Sequence, residues 1–83
     1  MVEAWFGLGI AERDQGQRPQ AISALSRATQ LNGNYAEAWL YLGLTYEESG
    51  DHPQAAASFQ RALDTTSDPN LYAQAEQGLA RVR

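Results

Sequence analysis

Residues 36–69, AEAWLYLGLTYEESGDHPQAAASFQRALDTTSDP, decide the fold. Laid without a gap over residues 2–35, VEAWFGLGIAERDQGQRPQAISALSRATQLNGNY, they match at eleven of 34 positions. The identities include Trp5/Trp39, Leu8/Leu42, Gly9/Gly43, Gly16/Gly50, Pro19/Pro53, Ala21/Ala55 and Ala28/Ala62. A period of this length marks supersecondary units stacked in a row, each burying its apolar face against its neighbour. In the second unit Trp39, Leu42, Gly43 and Tyr46 fall at i, i+3, i+4 and i+7, which is one face of an α-helix. Gly50 ends that helix, Asp51 is placed to cap the next, and Pro53 sits in its first turn, where a missing N–H costs nothing. Ala55, Phe59, Ala62 and Leu63 then form a second apolar stripe, so the unit is a helical hairpin.

The first unit follows the same plan through Trp5, Leu8 and Gly9, then Ala21, Leu25 and Ala28. Small residues at 9, 21, 43 and 55 let two helix backbones approach closely while Trp and Phe fill the wider gaps. After the second unit, Asp68 and Pro69 open a 14-residue tail whose Leu71, Ala75, Leu79 and Val82 share one face. Gln74, Glu76, Gln77 and Arg81 lie off that face. A lone helix of this length is marginal in water, so the tail is expected to dock on the preceding hairpin. The pattern predicts helices over about 3–15, 19–31, 36–49, 53–65 and 69–82.

Composition narrows the function. With 43% hydrophobic and 19% charged residues among 83, the chain is a folded domain and not a disordered segment. Ten acids face six bases, all arginine, for a net charge of −4. Phosphate-bearing partners need clustered positive charge, so no nucleic acid and no anionic membrane surface is expected to bind. There is no cysteine, hence no thiolate nucleophile, disulfide or thiolate metal site. His52 is the single histidine, and its neighbours Ser49 and Asp51 share its turn, too close in sequence to surround a substrate. Glu47, Glu48 and Asp51 lack the spacing of a calcium loop. No enzyme activity, cofactor or metal is expected. The apolar-looking run Trp39 to Tyr46 is far shorter than a bilayer span needs, and no secretory leader is visible, which favours a cytoplasmic location. The first unit starts at residue 2 with no capping residue ahead of it, as in a segment of a longer array.

The run Trp39, Leu42, Gly43 and Tyr46, the turn Gly50–Asp51, then Ala55, Phe59 and Ala62 resembles the tetratricopeptide repeat (TPR). The resemblance covers residues 2–69, and the tail looks like the capping helix that commonly follows the last repeat. It departs from the family pattern at Glu12, which stands where Tyr46 stands in the second unit, and at Gly33 and Ser67, which replace a proline. Gly7 adds a further glycine to the first helix, at a cost of up to ~1 kcal/mol, so the first hairpin is expected to be the looser. The resemblance implies an all-α solenoid: one repeat over 2–35, a second over 36–69, a cap over 70–83, and a concave groove lined by the first helix of each pair.

Mapped onto this chain, the family's groove positions are Glu3, Phe6, Ile10, Arg13 and Asp14, then Glu37, Leu40, Leu44, Glu47 and Glu48, with Tyr41 on the rim. Their charges come to five negative and one positive, which equals the net charge of the whole chain. The resemblance therefore implies an acid-rimmed apolar groove for a peptide or helix carrying Lys or Arg beside bulky apolar residues. The plainer account is that these acids only solvate an exposed helix face. Capture of an acidic C-terminal tail, a known TPR mode, would call on lysine, of which there is none. The expected function is a non-catalytic protein–protein interaction module. The alternative is structural: self-association as a homodimer, or a segment of a longer solenoid, driven by apolar surface around Trp5 and Phe6.

Overall fold

In the computed structural model, which describes residues 1–83, the chain forms five helices and no strand: α1 (Val2–Asp14), α2 (Arg18–Leu31), α3 (Ala36–Glu48), α4 (His52–Thr65) and α5 (Pro69–Val82). Each lies within about one residue of the span its periodicity predicts. The turns explain why. Gly16 and Gly50 adopt φ of +78° and +82°, a region that side-chain-bearing residues enter only with strain. Around Gly16, the Gln17 N–H donates to the Glu12 carbonyl (2.8 Å) and the Gly16 N–H to that of Arg13 (3.0 Å). Around Gly50, the Asp51 N–H donates to Tyr46 (2.9 Å) and the Gly50 N–H to Glu47 (3.0 Å). These are the paired bonds of a Schellman closure, made twice at the repeat spacing. The Asp51 carboxylate then caps α4 by accepting from the Gln54 N–H at 3.3 Å, whereas Gln17 offers α2 no such bond.

The turns between units are also twins. Asn32 Oδ1 accepts from the Asn34 N–H and Thr66 Oγ1 from the Asp68 N–H, each at 3.0 Å. A short polar side chain thus closes the turn where the family pattern would use proline. Asp68 continues by capping α5 through the Asn70 N–H at 2.9 Å.

Packing depends on side chains that are missing. The buried ring of Phe59 on α4 lies between Gly43 on α3 and Gly78 on α5. A Cβ at Gly43 would stand 2.8 Å from that ring and one at Gly78 2.5 Å from it. Leu25 on α2 fills the same role against Gly9 on α1. Around Phe59 the core gathers Ala55, Ala62, Leu71, Ala75, Leu79 and Val82, together with Leu40. Burying one such large side chain contributes about 1.5–3 kcal/mol. Trp39 stays half-buried: its indole N–H donates to the Gly33 carbonyl at 2.8 Å, and the Arg61 guanidinium sits 4.7 Å from its ring centre.

Two side-chain placements differ from the sequence expectation. Leu40, expected on the groove, is only 3% exposed, because α5 lies beside α3 and covers it. Trp5 and Leu8, expected on a packing stripe, are 37% and 46% exposed, because nothing covers the outer side of the first hairpin as α2 covers α3. No helix is long and apolar enough to cross a membrane.

Candidate functional site

Helices α1, α3 and α5 are neighbours along one side of the stack, and the groove positions lie on them. Between α1 and α3 that face is filled by its own side chains. The Phe6 ring packs against Tyr35 (centroids 4.9 Å apart) and edge-on against Tyr41 (5.8 Å). The Arg13 guanidinium lies 5.7 Å from the Tyr41 ring centre and forks onto Glu48. Its Nε meets Oε1 at 3.1 Å and its Nη2 meets Oε2 at 2.7 Å. Ile10 is half-buried, and Leu44 is half-buried against the core. One helix further on, Arg81 of α5 makes the same fork onto Glu47, at 2.8 and 2.9 Å. That hydrogen bond, with the charge of Arg81 and a smaller effect of His52, holds the Glu47 carboxyl below the ordinary glutamate range despite its partial burial.

Two of the five acids of the expected rim are therefore neutralised within the chain. Glu47 and Glu48 are paired, while Glu3, Asp14 and Glu37 form no ion pair. Two of these free charges, Glu37 and Glu3, lie near Tyr35. Burial pushes its hydroxyl pKa up, and the negative charges of Glu37 and Glu3 push it further.

The open part of the face lies further along, between the N-terminal halves of α3 and α5. There a cleft of about 480 Å³ is floored by Leu40, Tyr41 and Leu71, with Glu37 and Gln74 on its walls. Asn, Thr and Ser side chains of the two inter-repeat turns close its end. Glu37 and Asp68 are the charged residues of its lining, and no base is among them. The cleft thus offers one unpaired carboxylate, several amide and hydroxyl groups and a small apolar floor. Of the groove positions chosen from the sequence, it uses Glu37, Leu40 and Tyr41. Glu3, Phe6, Ile10, Arg13, Asp14, Leu44, Glu47 and Glu48 lie outside it.

Sequence reasoning missed the turn amides and Gln74 because it treated α5 only as a cap. The signal was there, since Gln74 follows Leu71 by three residues and so stands close to the docked face. No group of three or more His, Asp or Glu side chains stands close enough to hold a metal ion.

Two tandem helical hairpins closed by a docked fifth helix, with an open cleft along the first-helix side, define an α-solenoid of the kind that recognises other proteins. The TPR family model, described as tetratricopeptide repeat, matches residues 6–72, and the chain belongs to that family. Among solved structures, it is similar to one titled "Crystal structure of MamA protein", at 31% identity and a TM-score of 0.89 over 98% of this chain. A second, titled "Crystal structure of MamA", gives 26% identity and a TM-score of 0.77, again over 98% of this chain. The chain spans 43% and 56% of those two chains. No curated protein matches it. Membership of this family makes the chain a protein–protein interaction or scaffold module; such repeats are generally non-catalytic and bind protein partners.

Proposed function

We propose that the chain binds an extended or helical peptide segment in the cleft between α3 and α5, and that the segment carries a Lys or Arg beside one bulky apolar residue. The repeat boundaries proposed with this reading are 2–35 and 36–69, followed by the cap over 70–83. The observation that carries it is the chemistry of the cleft: two acids, no base, and a Glu37 carboxylate with no partner. Glu37 would attract the basic group, Tyr41 would receive the apolar one over the buried floor of Leu40 and Leu71, and Gln74 with the turn amides would bond the ligand backbone. Apolar anchors supply most of such affinity, and the charge sets register and partner choice.

Fluorescence anisotropy with labelled peptides of matched length tests this. A Lys/Arg–Leu peptide should bind more tightly than its Glu–Leu counterpart, with an advantage that shrinks between 50 and 500 mM salt. Glu37→Gln should weaken the basic peptide severalfold and leave a neutral apolar peptide unchanged. A preference for the acidic peptide would refute the electrostatic part, and full affinity in a Gln74→Ala, Tyr41→Ala double variant would refute the location. A second reading, self-association, is favoured by one observation, the exposure of Trp5 and Leu8.

A further inference from the structure

The cleft between α3 and α5 is a short pocket rather than a channel. On α3 its lining runs from Ala36 to Tyr41, about 9 Å of helix at 1.5 Å per residue, and on α5 it ends at Gln74. Beyond that stretch the fork of Arg81 on Glu47 ties the two helices together. Toward α1 the wall is Tyr35 and Tyr41, whose rings are backed by Phe6 at 4.9 and 5.8 Å. Toward the turns it is Asn34 and Ser67. An extended chain advances about 3.3 Å per residue, so the pocket holds about two to three residues. A chain passing through would have to turn back within them, whereas a chain end would not.

Charge and spacing decide which end fits. The lining holds Glu37 and Asp68 and no base, so it repels a C-terminal carboxylate. Glu37 is exposed and forms no ion pair, and the side chains of Asn34, Ser67, Asn70 and Gln74 form no hydrogen bond within the chain. An ammonium group has three donors to place, and a carboxylate among amide and hydroxyl oxygens is the acceptor set it needs. Glu37 and Tyr41 are four residues apart on one helix face, with about 5–6 Å between their Cβ atoms. In the first residue of a chain the α-ammonium and the side chain leave the same Cα, and that pair spans such a gap. A lysine ammonium stands at the end of a four-carbon stem, which carries it further from a neighbouring apolar side chain.

We infer that the cleft receives the free N-terminus of a partner protein whose first residue is bulky and apolar. This rests on the reading of the cleft as a peptide site and makes it more specific. The α-ammonium meets Glu37, and the first side chain lies on Tyr41 above Leu40 and Leu71. The Lys or Arg of the segment follows outside the pocket, toward Tyr35, where Glu3 is unpaired.

The test measures C-terminally labelled peptides against the 83-residue chain by fluorescence anisotropy. All share one sequence that begins Leu-Lys: the first has a free N-terminus, the second is N-acetylated, and the third carries Gly-Ser-Gly-Ser ahead of the leucine. The free peptide should bind about tenfold more tightly than either of the others, the loss expected for one charge-assisted hydrogen bond. The extended peptide is the decisive comparison, because it keeps every charge and only moves the ammonium away from the leucine. In Glu37→Gln the advantage of the free peptide over the acetylated one should fall to near onefold. Equal affinity of the three peptides for the parent chain would overturn the inference and give the cleft to an internal segment. If Glu37→Gln then weakened all three alike, the cleft would stand as a peptide site without it. An advantage of the free N-terminus that persisted in Glu37→Gln would also overturn it. No binding of any peptide at millimolar concentration would remove the cleft reading and the inference together.

Discussion

Replacing Gly78 by alanine is the sharpest perturbation the packing offers. The new Cβ would lie 2.5 Å from Cε1 and Cζ of Phe59 and 2.8 Å from Cε2. Carbon atoms normally sit about 3.5–4.0 Å apart, so the ring would have to retreat by about 1 Å. It has nowhere to go, because its other side lies against the bare backbone of Gly43. Forced overpacking of this kind costs about 1–3 kcal/mol, partly offset by the ~1 kcal/mol that alanine gains over glycine inside a helix. Gly7→Ala is the matched control, since no heavy atom lies within 4 Å of a Cβ placed there. It receives the propensity gain alone, about 1 kcal/mol in favour of folding.

Urea unfolding followed by circular dichroism at 222 nm measures both variants. The same chemical edit should stabilise the chain at Gly7 and destabilise it by up to about 2 kcal/mol at Gly78. In melting temperature, each kcal/mol is about 4–8 °C for a domain of this size. The difference between the variants isolates the Phe59 contact from helix propensity. If Gly78→Ala matched Gly7→Ala in sign and size, Phe59 would not be held between two backbones, and the account of the core would fall with it. A lower m-value for Gly78→Ala alone would show that α5 undocks before the hairpins unfold.

The remaining predictions concern a cap and an ion pair. Gln17 occupies the register of the capping Asp51, so Gln17→Asp should raise stability by about 1 kcal/mol, and Asp51→Ala should lower it by about the same amount, both read as urea midpoints. Arg81→Met should remove the bond that depresses the Glu47 pKa. A carboxyl whose folded pKa is depressed contributes stability above its ordinary value of 4.5, and that contribution is lost as the pH falls through the folded value. The stability difference between the parent chain and Arg81→Met should therefore be fully present at pH 7 and shrink as the pH falls below 4.5. For so exposed a pair it should stay below about 1 kcal/mol.

The helices were legible because most boundaries carry local chemistry: Gly16 and Gly50 at positive φ, Pro19, Pro53 and Pro69 in first turns, Asp51 and Asp68 as caps. These residues act within one turn of themselves, so a sequence window sees both cause and effect. The candidate site was legible only in part. Leu40 is hidden by α5, a contact between residues about 30 positions apart. Arg81 left its own helix to neutralise Glu47, and Arg13 did the same for Glu48. Assigning each charge to the helix face where it starts takes no account of how far an arginine reaches. Helix axes lie about 8–10 Å apart, a gap that a guanidinium on a long stem can bridge.

Both arginine forks join neighbouring helices of this side near their C-terminal ends, Arg13 of α1 to Glu48 of α3 and Arg81 of α5 to Glu47 of α3. The aromatic group of Phe6, Tyr35 and Tyr41 fills the middle. The face is therefore closed at one end and open at the other, where α3 and α5 begin. Those helix starts oppose the proposed ligand, because each N-terminus carries a partial charge of about +0.5, which favours anions. The acids at the same place reverse that sign. Asp68 is spent on the Asn70 N–H, but Glu37 in the first turn of α3 has no partner, and its full negative charge exceeds the half charge behind it. The cleft is acidic only while Glu37 is ionised and unpaired. Glu37→Gln should consequently erase the preference for basic over acidic peptides as well as weaken it. A preference that survived that substitution would have to arise from the apolar floor, and the charge would then have no part in partner choice.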